Sequence, residues 1–336
     1  MKLGTMRRVL RMPHFRARVQ VLQGMRVFLR LHFVYAALEV GLLEALRRPR
    51  SREELVRRLG VRRPEMLDVL LRMGVSLGEL SVRGGVYRLR GGYARAMVGE
   101  EGDPLAAMVQ EYLGYHADAY RRLAERLRGA PMGDYMEGTG DLIARSSRVL
   151  EPLMADFVQE MVREKGAMRI LEVGCGSGVY LRYAAEANPE VTGIGIDMQQ
   201  DVVEQATRNL RAWGLGDRFR VLRADIRDAP PEIEGPFDLI TLYNNIYYFT
   251  AEERPALLRD LRSRLARGGG LAIVTVMRDN TVMALDFDLI LRSTKGCAPL
   301  PTVREVEAQL RESGFGEVSS RKLVWVESLY GVVARQ

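Results

Sequence analysis

The sequence contains little cysteine, histidine or lysine. Its two cysteines, Cys175 and Cys297, do not have the spacing of metal ligands, which argues against a disulfide framework and against a zinc site. No cluster of histidine and carboxylate residues suggests another metal, so we expect chemistry that needs none. Lysine occurs at only four positions, and arginine supplies the rest of the 50 basic residues. We attach no function to that bias.

Long hydrophobic runs are also missing. The longest, residues 31–43, is interrupted by His32, Glu39 and Gly41 and falls short of the roughly 20 residues that span a bilayer. Residues 1–38 contain no acidic side chain, and no uninterrupted apolar segment follows their basic residues, which argues against a secretory signal. We therefore expect a cytoplasmic protein. The basic arm fits three alternatives: packing on a partner subunit, peripheral contact with an anionic membrane, or a disordered tail.

The overall composition is that of a globular protein with two domains. The chain has 336 residues, of which 47% are hydrophobic and 28% are charged, and this length can bury a sizeable core. Its net charge is +7 and its isoelectric point is near 9.5. Acidic partners are therefore worth testing.

A glycine-rich loop organises the second half of the chain. Residues 168–178, MRILEVGCGSG, predict a buried strand that ends on Glu172 and is followed by glycine at every second position. Glycine lets the backbone approach a ligand closely, and the apolar helix predicted over residues 179–187 offers free N–H groups at its start. Glu172 would repel a pyrophosphate, so the loop suits a cationic ligand that carries an amino group.

Four further strands are predicted after this loop. Asp197 ends the first of them about twenty residues past the glycines, where nucleotide-binding folds place the acid that holds ribose hydroxyls. The predicted strands and their flanking residues are 191–196 with Asp197, 219–222 with Asp225 and Ile226, 237–242 with Tyr243 and Asn244, and 271–276 after a turn at 267–270.

In this order, the motifs resemble those of class I S-adenosylmethionine-dependent methyltransferases, over roughly residues 166–336. The resemblance implies an α/β fold with a Rossmann-like sheet of seven strands, mostly parallel with one antiparallel strand, and S-adenosylmethionine as the cofactor. It also implies that Gly174, Gly176 and Gly178 contact the methionine part of the cofactor and that Asp197 contacts the ribose. Asp225 would contact the adenine amino group, and Met198 and Ile226 would lie on the two faces of adenine. We add Glu172 and Tyr243 to the predicted cofactor site.

The first half of the chain predicts a winged-helix unit. Apolar residues over 25–46 are too dense for one face, which indicates a helix buried on several sides. Ser51 begins a capping box for a short helix, and a second helix runs from Pro64 to near Gly74. Strands at 79–82 and 86–90 then flank a glycine turn and form a hairpin.

Winged helices often bind DNA, and a regulator with the cofactor fold as its sensor is the alternative function. The second helix of the unit would be the one that reads DNA. It carries Glu65 and Asp68 and only one base, Arg72, among apolar residues. A DNA-reading helix presents basic or amide side chains, so nucleic acid is the less favoured partner.

This order of domains resembles the small-molecule O-methyltransferases of plants and of bacterial natural-product pathways. The resemblance implies a homodimer, with residues 1–165 as a helical, winged-helix dimerisation and acceptor-lid domain and residues 166–336 as the catalytic domain. It also implies that helices at 111–128 and 141–161 line the acceptor pocket, and we expect a helix within 278–301 to close it. The candidate wall residues are Tyr112, Tyr115, His116, Tyr135 and Met154.

Many members of that family carry a histidine base after the fourth strand, followed two residues later by tryptophan. Here Tyr247 stands in place of the histidine, and the last histidine of the chain is His116. Tyrosine, with a reference pKa near 10, is a poor base at neutral pH. Three readings stay open: an acceptor that ionises without a strong base, His116 as the base, or N-methylation, because Asn244 and Tyr247 have the spacing of the amino-group methyltransferase motif. We therefore predict O- or C-methylation of a small, largely apolar acceptor, with N-methylation as an alternative.

Overall fold

The computed structural model describes residues 12–135, 138–163, 166–325 and 327–336. These residues form two compact units, one up to Tyr115 and one from His116 onward. The start of the basic arm, residues 1–11, lies outside the described residues, so its three alternatives stay predictions. The predicted functional boundary at 165/166 also stays a prediction.

The first unit consists of helices with a small sheet of three strands in the order β1-β3-β2. Its helices are α1 (Phe15–Glu39), α2 (Leu42–Ala45), α3 (Arg52–Arg58), α4 (Pro64–Leu77), α5 (Gly92–Ala96) and α6 (Gly99–Glu111), and its strands are β1 (Arg50–Ser51), β2 (Leu80–Arg83) and β3 (Val86–Leu89). The predicted capping box is confirmed, since Ser51 and Glu54 bond each other's backbone N–H groups. The predicted hairpin is confirmed as the antiparallel pair β2–β3.

The prediction for residues 25–46 was wrong in its bounds and in its burial. Helix α1 begins ten residues earlier and ends at Glu39, and only Phe33, Val34 and Ala37 of its side chains are buried. Its first half leaves apolar side chains exposed, including Val21 at 64% and Leu22 at 70%. Apolar density alone did not distinguish a helix packed in its own core from one whose apolar face is left uncovered.

The second unit is built on the predicted sheet of seven strands. The strands are β4 (Met168–Val173), β5 (Val191–Asp197), β6 (Phe219–Arg223), β7 (Phe237–Tyr243), β8 (Leu265–Val276), β9 (Glu317–Lys322) and β10 (Leu329–Arg335). Their order is β6-β5-β4-β7-β8-β10-β9, and β10 runs antiparallel to both of its neighbours. The expected mostly parallel sheet with one antiparallel strand is confirmed.

Strand β8 differs from its prediction, because it begins at Leu265 and contains the glycines expected to form a turn. Its register against β7 shifts between the pairs Phe237–Leu265 and Leu239–Gly270, so the intervening residues form a bulge. Gly268 has a φ of 77°, which a bulge residue reaches at little cost only when it is glycine.

Helices cover the sheet, and two of the predicted ones are broken. The helices of this unit are α7 (Ala117–Arg121), α8 (Leu123–Arg126), α9 (Gly140–Ser146), α10 (Glu151–Val162), α11 (Val179–Ala187), α12 (Gln200–Ala212), α13 (Arg254–Ser263), α14 (Val282–Arg292) and α15 (Val303–Glu312). The predicted helix 111–128 is broken at Gly114, whose φ and ψ are not helical. The predicted helix 141–161 is divided by a 3-10 segment, Ser147–Leu150.

Side chains of β4 alternate between two hydrophobic clusters, one on each face of the sheet. Leu171 and Val173 belong to one cluster, while Met168 and Ile170 belong to the other. The centre of the sheet is therefore buried on both sides, and the polar residues that follow its parallel strands gather at one edge. No helix in the described ranges is both long and apolar enough to cross a bilayer.

Candidate functional site

A cavity of about 550 Å³ lies at the carboxyl edge of the parallel strands in the second unit. Most of the predicted site residues line it, namely Gly174, Gly176, Asp197, Met198, Asp225, Ile226, Tyr243, Asn244 and Tyr247. Three others, Glu172, Gly178 and His116, are not part of its lining. Residues that follow four different strands thus meet at one site, as parallel strand ends do in doubly wound sheets.

The glycine loop has the backbone conformation that the sequence predicts. Gly174, Gly176 and Gly178 all have positive φ values, between 52° and 77°, which other residues reach only with strain. A Cβ on Gly174 would lie 2.8 Å from Nδ2 of Asn245. The loop therefore requires glycine at Gly174 for space as well as for conformation.

Buried acceptors without a donor lie beside this loop. Glu172 is 1% exposed, and burial, followed by the nearby Asp197 carboxylate, raises its pKa well above the usual range. Among the residues that the structure describes, neither Oε1 of Glu172 nor Oδ1 of Asn245 has a hydrogen-bond partner. Asn245 lines the cavity and anchors itself by donating from Nδ2 to the carbonyl of Val173. Two buried acceptors without a donor suit a ligand that carries an ammonium group.

Asp197 connects the end of β5 to the loop. Its Oδ2 accepts a hydrogen bond from the backbone N–H of Gly176 at 3.2 Å, and its Oδ1 accepts one from Gln199 at 3.1 Å. Burial raises the pKa of Asp197, although these backbone donors act in the opposite direction. The carboxylate keeps lone pairs for further donors, as ribose hydroxyls would supply.

Asp225 stands with Arg227 on the other side of the cavity. The Arg227 Nε is 3.0 Å from both carboxylate oxygens. Burial alone would raise the pKa of Asp225, but the hydrogen bonds from Arg227 outweigh it and hold the pKa below its usual value. Arg227 also reaches the Met198 sulfur at 3.7 Å, and Met198 is largely exposed while Ile226 is buried. The two apolar side chains are available to a flat ring.

Aromatic side chains surround Tyr247. Its ring lies edge-on to Tyr248 at 4.8 Å and to Phe287 at 5.2 Å between centroids. Phe287 belongs to α14, the helix expected to close the acceptor pocket. The carbonyl of Tyr247 accepts a hydrogen bond from Ala298 N at 2.7 Å, and Asn244 has a left-handed φ of 53°. The segment after β7 is thus fixed by both backbone and ring contacts.

His116 is a buried side chain whose Nδ1 lies 3.4 Å from Oδ2 of Asp286. Its assignment as a base stays a prediction, because it lies outside the cavity lining. Met154, expected in the acceptor wall, is fully buried and packs in the core cluster on one face of the sheet.

Two segments of the lining fall largely in regions that the sequence analysis expected at the acceptor pocket, residues 141–161 and 278–301, although none of the lining residues there was named. One is the region of α9 and the 3-10 turn, which contributes Gly140, Ile143, Ala144, Ser147 and Arg148; the other is the pair Lys295–Gly296. No motif singles out these residues within the two segments, so the resemblance predicted the regions and not the individual side chains. Asn245 was also missed, although it directly follows the predicted Asn244. In the described ranges, no group of three histidine, cysteine or acidic side chains could hold a metal ion.

Comparisons with known proteins agree with this geometry. A family model for a methyltransferase domain matches residues 170–269. Demethylspheroidene O-methyltransferase of Cereibacter sphaeroides is 27% identical over 315 residues, which cover 87% of this chain and 80% of that protein. The 3-hydroxy-5-methyl-1-naphthoate 3-O-methyltransferase of Streptomyces sahachiroi is 26% identical over 257 residues, with 73% of each chain covered.

A solved structure extends the likeness to the fold. Human N-acetylserotonin methyltransferase, in complex with S-adenosylmethionine, superposes with a TM-score of 0.76 at 15% identity, covering 95% of this chain and 97% of that one. The likeness to this structure covers nearly the whole chain, including the seven-stranded sheet. Residues 170–269 therefore form a methyltransferase domain, and the fold of the chain is that of the small-molecule O-methyltransferases.

Proposed function

We propose that the protein transfers the methyl group of S-adenosylmethionine to an oxygen atom of a small, largely apolar acceptor. One observation supports this most directly: a single cavity is lined both by the glycine loop with the acids proposed to hold the cofactor and by the aromatic side chains of Tyr247 and Tyr248. The two relatives of this chain named above are both O-methyltransferases, one named for demethylspheroidene and one for 3-hydroxy-5-methyl-1-naphthoate.

The residues at the cofactor end have complementary tasks in this proposal. Glu172 and Asn245 supply acceptors for the ammonium group, Asp197 accepts from the ribose hydroxyls, and Asp225 accepts from the adenine amino group. The glycine loop brings the backbone close to the methionine part. When bound, S-adenosylmethionine supplies an electrophilic methyl group on a positively charged sulfur.

The acceptor end has the task of orientation. Tyr247 shapes the pocket and offers a hydroxyl to the acceptor, without removing its proton. Holding a nucleophile in line with the methyl carbon can supply several kcal/mol of the barrier reduction. An acceptor that is already ionised then needs no strong base.

The function is tested by binding and by turnover. Titration calorimetry with S-adenosylhomocysteine should show one site per chain, and the full-length protein should methylate members of a panel of phenols, carboxylic acids, enolisable ketones and amines. Mass spectrometry then identifies the methylated atom. Binding of S-adenosylhomocysteine without transfer to any oxygen acceptor, or transfer to amines alone, would contradict the proposal.

We also propose that the protein is a homodimer and that the first half of α1 lies in the interface. Val21, Leu22, Val27 and Phe28 expose roughly half or more of their side chains on this helix. An isolated apolar surface of this kind marks an interaction site in soluble proteins. No acidic side chain occurs in α1 before Glu39. Burial of its exposed apolar side chains in an interface would therefore not remove any carboxylate from water.

Two charges placed on this face test the dimer. Leu22→Glu with Phe28→Glu should convert the protein to a monomer by light scattering, because two carboxylates would be buried at the interface. The matched control is Met66→Glu with Val69→Glu on α4, where both side chains are also more than half exposed. A wild-type monomer, or a dimer that survives the α1 changes, would remove this face from the interface.

A further inference from the structure

We propose that the acceptor carries a carboxylate on its apolar ring system and that Lys295 binds this carboxylate. The inference rests on the proposed methyl transfer and adds the chemical class of the acceptor. The starting point is the turn at residues 293–298, which contributes to the cavity wall and carries no sequence motif.

The backbone of this turn is held in place from two directions. Gly133 forms a parallel bridge with Thr294, donating to the carbonyl of Ser293 and accepting from the N–H of Lys295, both at 2.9 Å. On the other side, Ala298 donates to the carbonyl of Tyr247 at 2.7 Å. Cys297 packs against the small cluster that contains Tyr247. The turn is therefore anchored next to Tyr247, and Lys295 lines the cavity there.

The cations of the cavity differ in how firmly they are paired. Arg148 donates from Nε to Glu151 at 2.5 Å, and Arg227 holds both oxygens of Asp225. Lys295 faces Asp134 at 3.5 Å, with the two side chains 74% and 51% exposed. Exposed ion pairs of this kind contribute little, so Lys295 is the cation that can exchange its partner for a ligand at low cost.

The carboxylates of the cavity do not compete for Lys295. Asp197 accepts from backbone N–H groups and Asp225 is held by Arg227. The ammonium group of Lys295 offers three donors on a flexible stem, which suits a carboxylate whose ring lies against the aromatic cluster of Tyr247. A positive charge beside the acceptor also favours the ionised form of its hydroxyl, which reduces the need for a histidine base.

The test compares two probes of the same ring size, 3-hydroxy-2-naphthoate and 2-naphthol, which differ in the carboxylate. Their fluorescence is titrated with the full-length protein saturated with S-adenosylhomocysteine. We expect the naphthoate to bind about tenfold more tightly than the naphthol. Lys295→Met should remove that preference while leaving naphthol binding within about twofold, and Lys295→Arg should retain most of it. Lys322→Met, a lysine of the same unit on β9, is the matched control and should change neither affinity.

Asp134→Asn provides an independent variant that leaves Lys295 intact. Loss of its competing carboxylate should tighten naphthoate binding about twofold to threefold and leave naphthol unchanged. Equal affinity of the wild type for both probes, binding of neither, or an unchanged preference in Lys295→Met would overturn the inference. If S-adenosylhomocysteine binds and 2-naphthol is methylated as efficiently as the naphthoate, only the carboxylate inference fails. If S-adenosylhomocysteine does not bind, the proposed function fails as well.

Discussion

The two ends of the cavity are built in different ways. At the cofactor end, Gly174, Asp197 and Asp225 follow β4, β5 and β6, and hydrogen-bonded register between these strands determines where they meet. At the acceptor end, Tyr247 and Lys295 come from segments that are joined only by contacts between loops. A parallel sheet can thus keep one half of a site constant while the other half changes its chemistry.

This difference makes separable predictions. Changes at the cofactor end should alter S-adenosylhomocysteine binding and leave the choice of acceptor unchanged. Changes at the acceptor end should alter turnover and leave calorimetric affinity for S-adenosylhomocysteine unchanged. A single substitution that changes both turnover and affinity for S-adenosylhomocysteine would contradict this separation.

The largest effect is expected at Asp197. Asp197→Ala removes a charged acceptor for the ribose hydroxyls and should weaken S-adenosylhomocysteine binding by on the order of 2–3 kcal/mol. Calorimetry measures this loss, and circular dichroism checks that the fold is intact. Asp201→Ala, a change in the first turn of α12, is the control and should bind normally. Unchanged affinity in Asp197→Ala would refute the ribose assignment.

Glu172→Gln should act on binding and stability in opposite directions. Loss of the charge should weaken S-adenosylhomocysteine binding roughly tenfold. Because burial raises the pKa of Glu172, the folded protein binds its proton more tightly than the unfolded chain does, and wild-type stability falls as pH rises above the reference value of 4.5. The neutral glutamine avoids this cost. Without cofactor, the variant should therefore gain in melting temperature relative to wild type as pH increases above that value, and match it below.

Thermal melting across this pH range measures the effect, with Glu186→Gln as the control for an exposed glutamate that pairs with Arg182 on α11. A Glu172→Gln protein that melts at a lower temperature than wild type at every pH would show that ionisation of the buried Glu172 carboxyl does not destabilise the fold.

At the acceptor end, Tyr247→Phe keeps the ring and removes the hydroxyl. We expect kcat to fall about tenfold, equivalent to about 1.4 kcal/mol, with an unchanged shape of the pH–rate profile. Affinity for S-adenosylhomocysteine should remain as in wild type, and Tyr330→Phe on β10 is the control. A loss of three or more orders of magnitude together with the alkaline limb would instead make Tyr247 the base.

The smallest effect is expected at His116. Because this side chain lies outside the cavity lining, His116→Gln should change kcat by less than about threefold, and Asp286→Asn should behave in the same way. A pH–rate profile measured for both variants makes the test specific. Loss of a limb near the histidine reference pKa of about 6.5 in both would assign the pair to proton removal.

The sequence was informative where spacing along the chain determines position in space. Asp197 and Asp225 each follow a predicted strand, and parallel strands bring their ends together whatever the loops do. Lys295 could not be found this way, because its place depends on a bridge to Gly133, more than 150 residues earlier in the chain.

Helix α1 shows a second limit. Its apolar density predicted a helix correctly, since propensity and periodicity are local properties. Burial of a side chain is not a local property. The exposure of Val21 and Leu22 depends on which other elements pack against the helix. The breaks in the predicted helices were overlooked although residues mark both of them: Gly114 lies at one, and Pro152 stands in the first turn of α10, directly after the 3-10 segment Ser147–Leu150.

The pairing of Arg227 with Asp225 bears on how a bound nucleoside would leave. Arg227 already bonds both oxygens of Asp225, so under the proposed assignment this carboxylate keeps a partner when the adenine amino group leaves. Glu172 and Asn245, by contrast, have no replacement donor among the described residues. Under the proposed assignment, loss of the ammonium group would leave two buried acceptors unpaired and loss of adenine would leave none, so we expect the amino-acid end to hold the ligand more firmly.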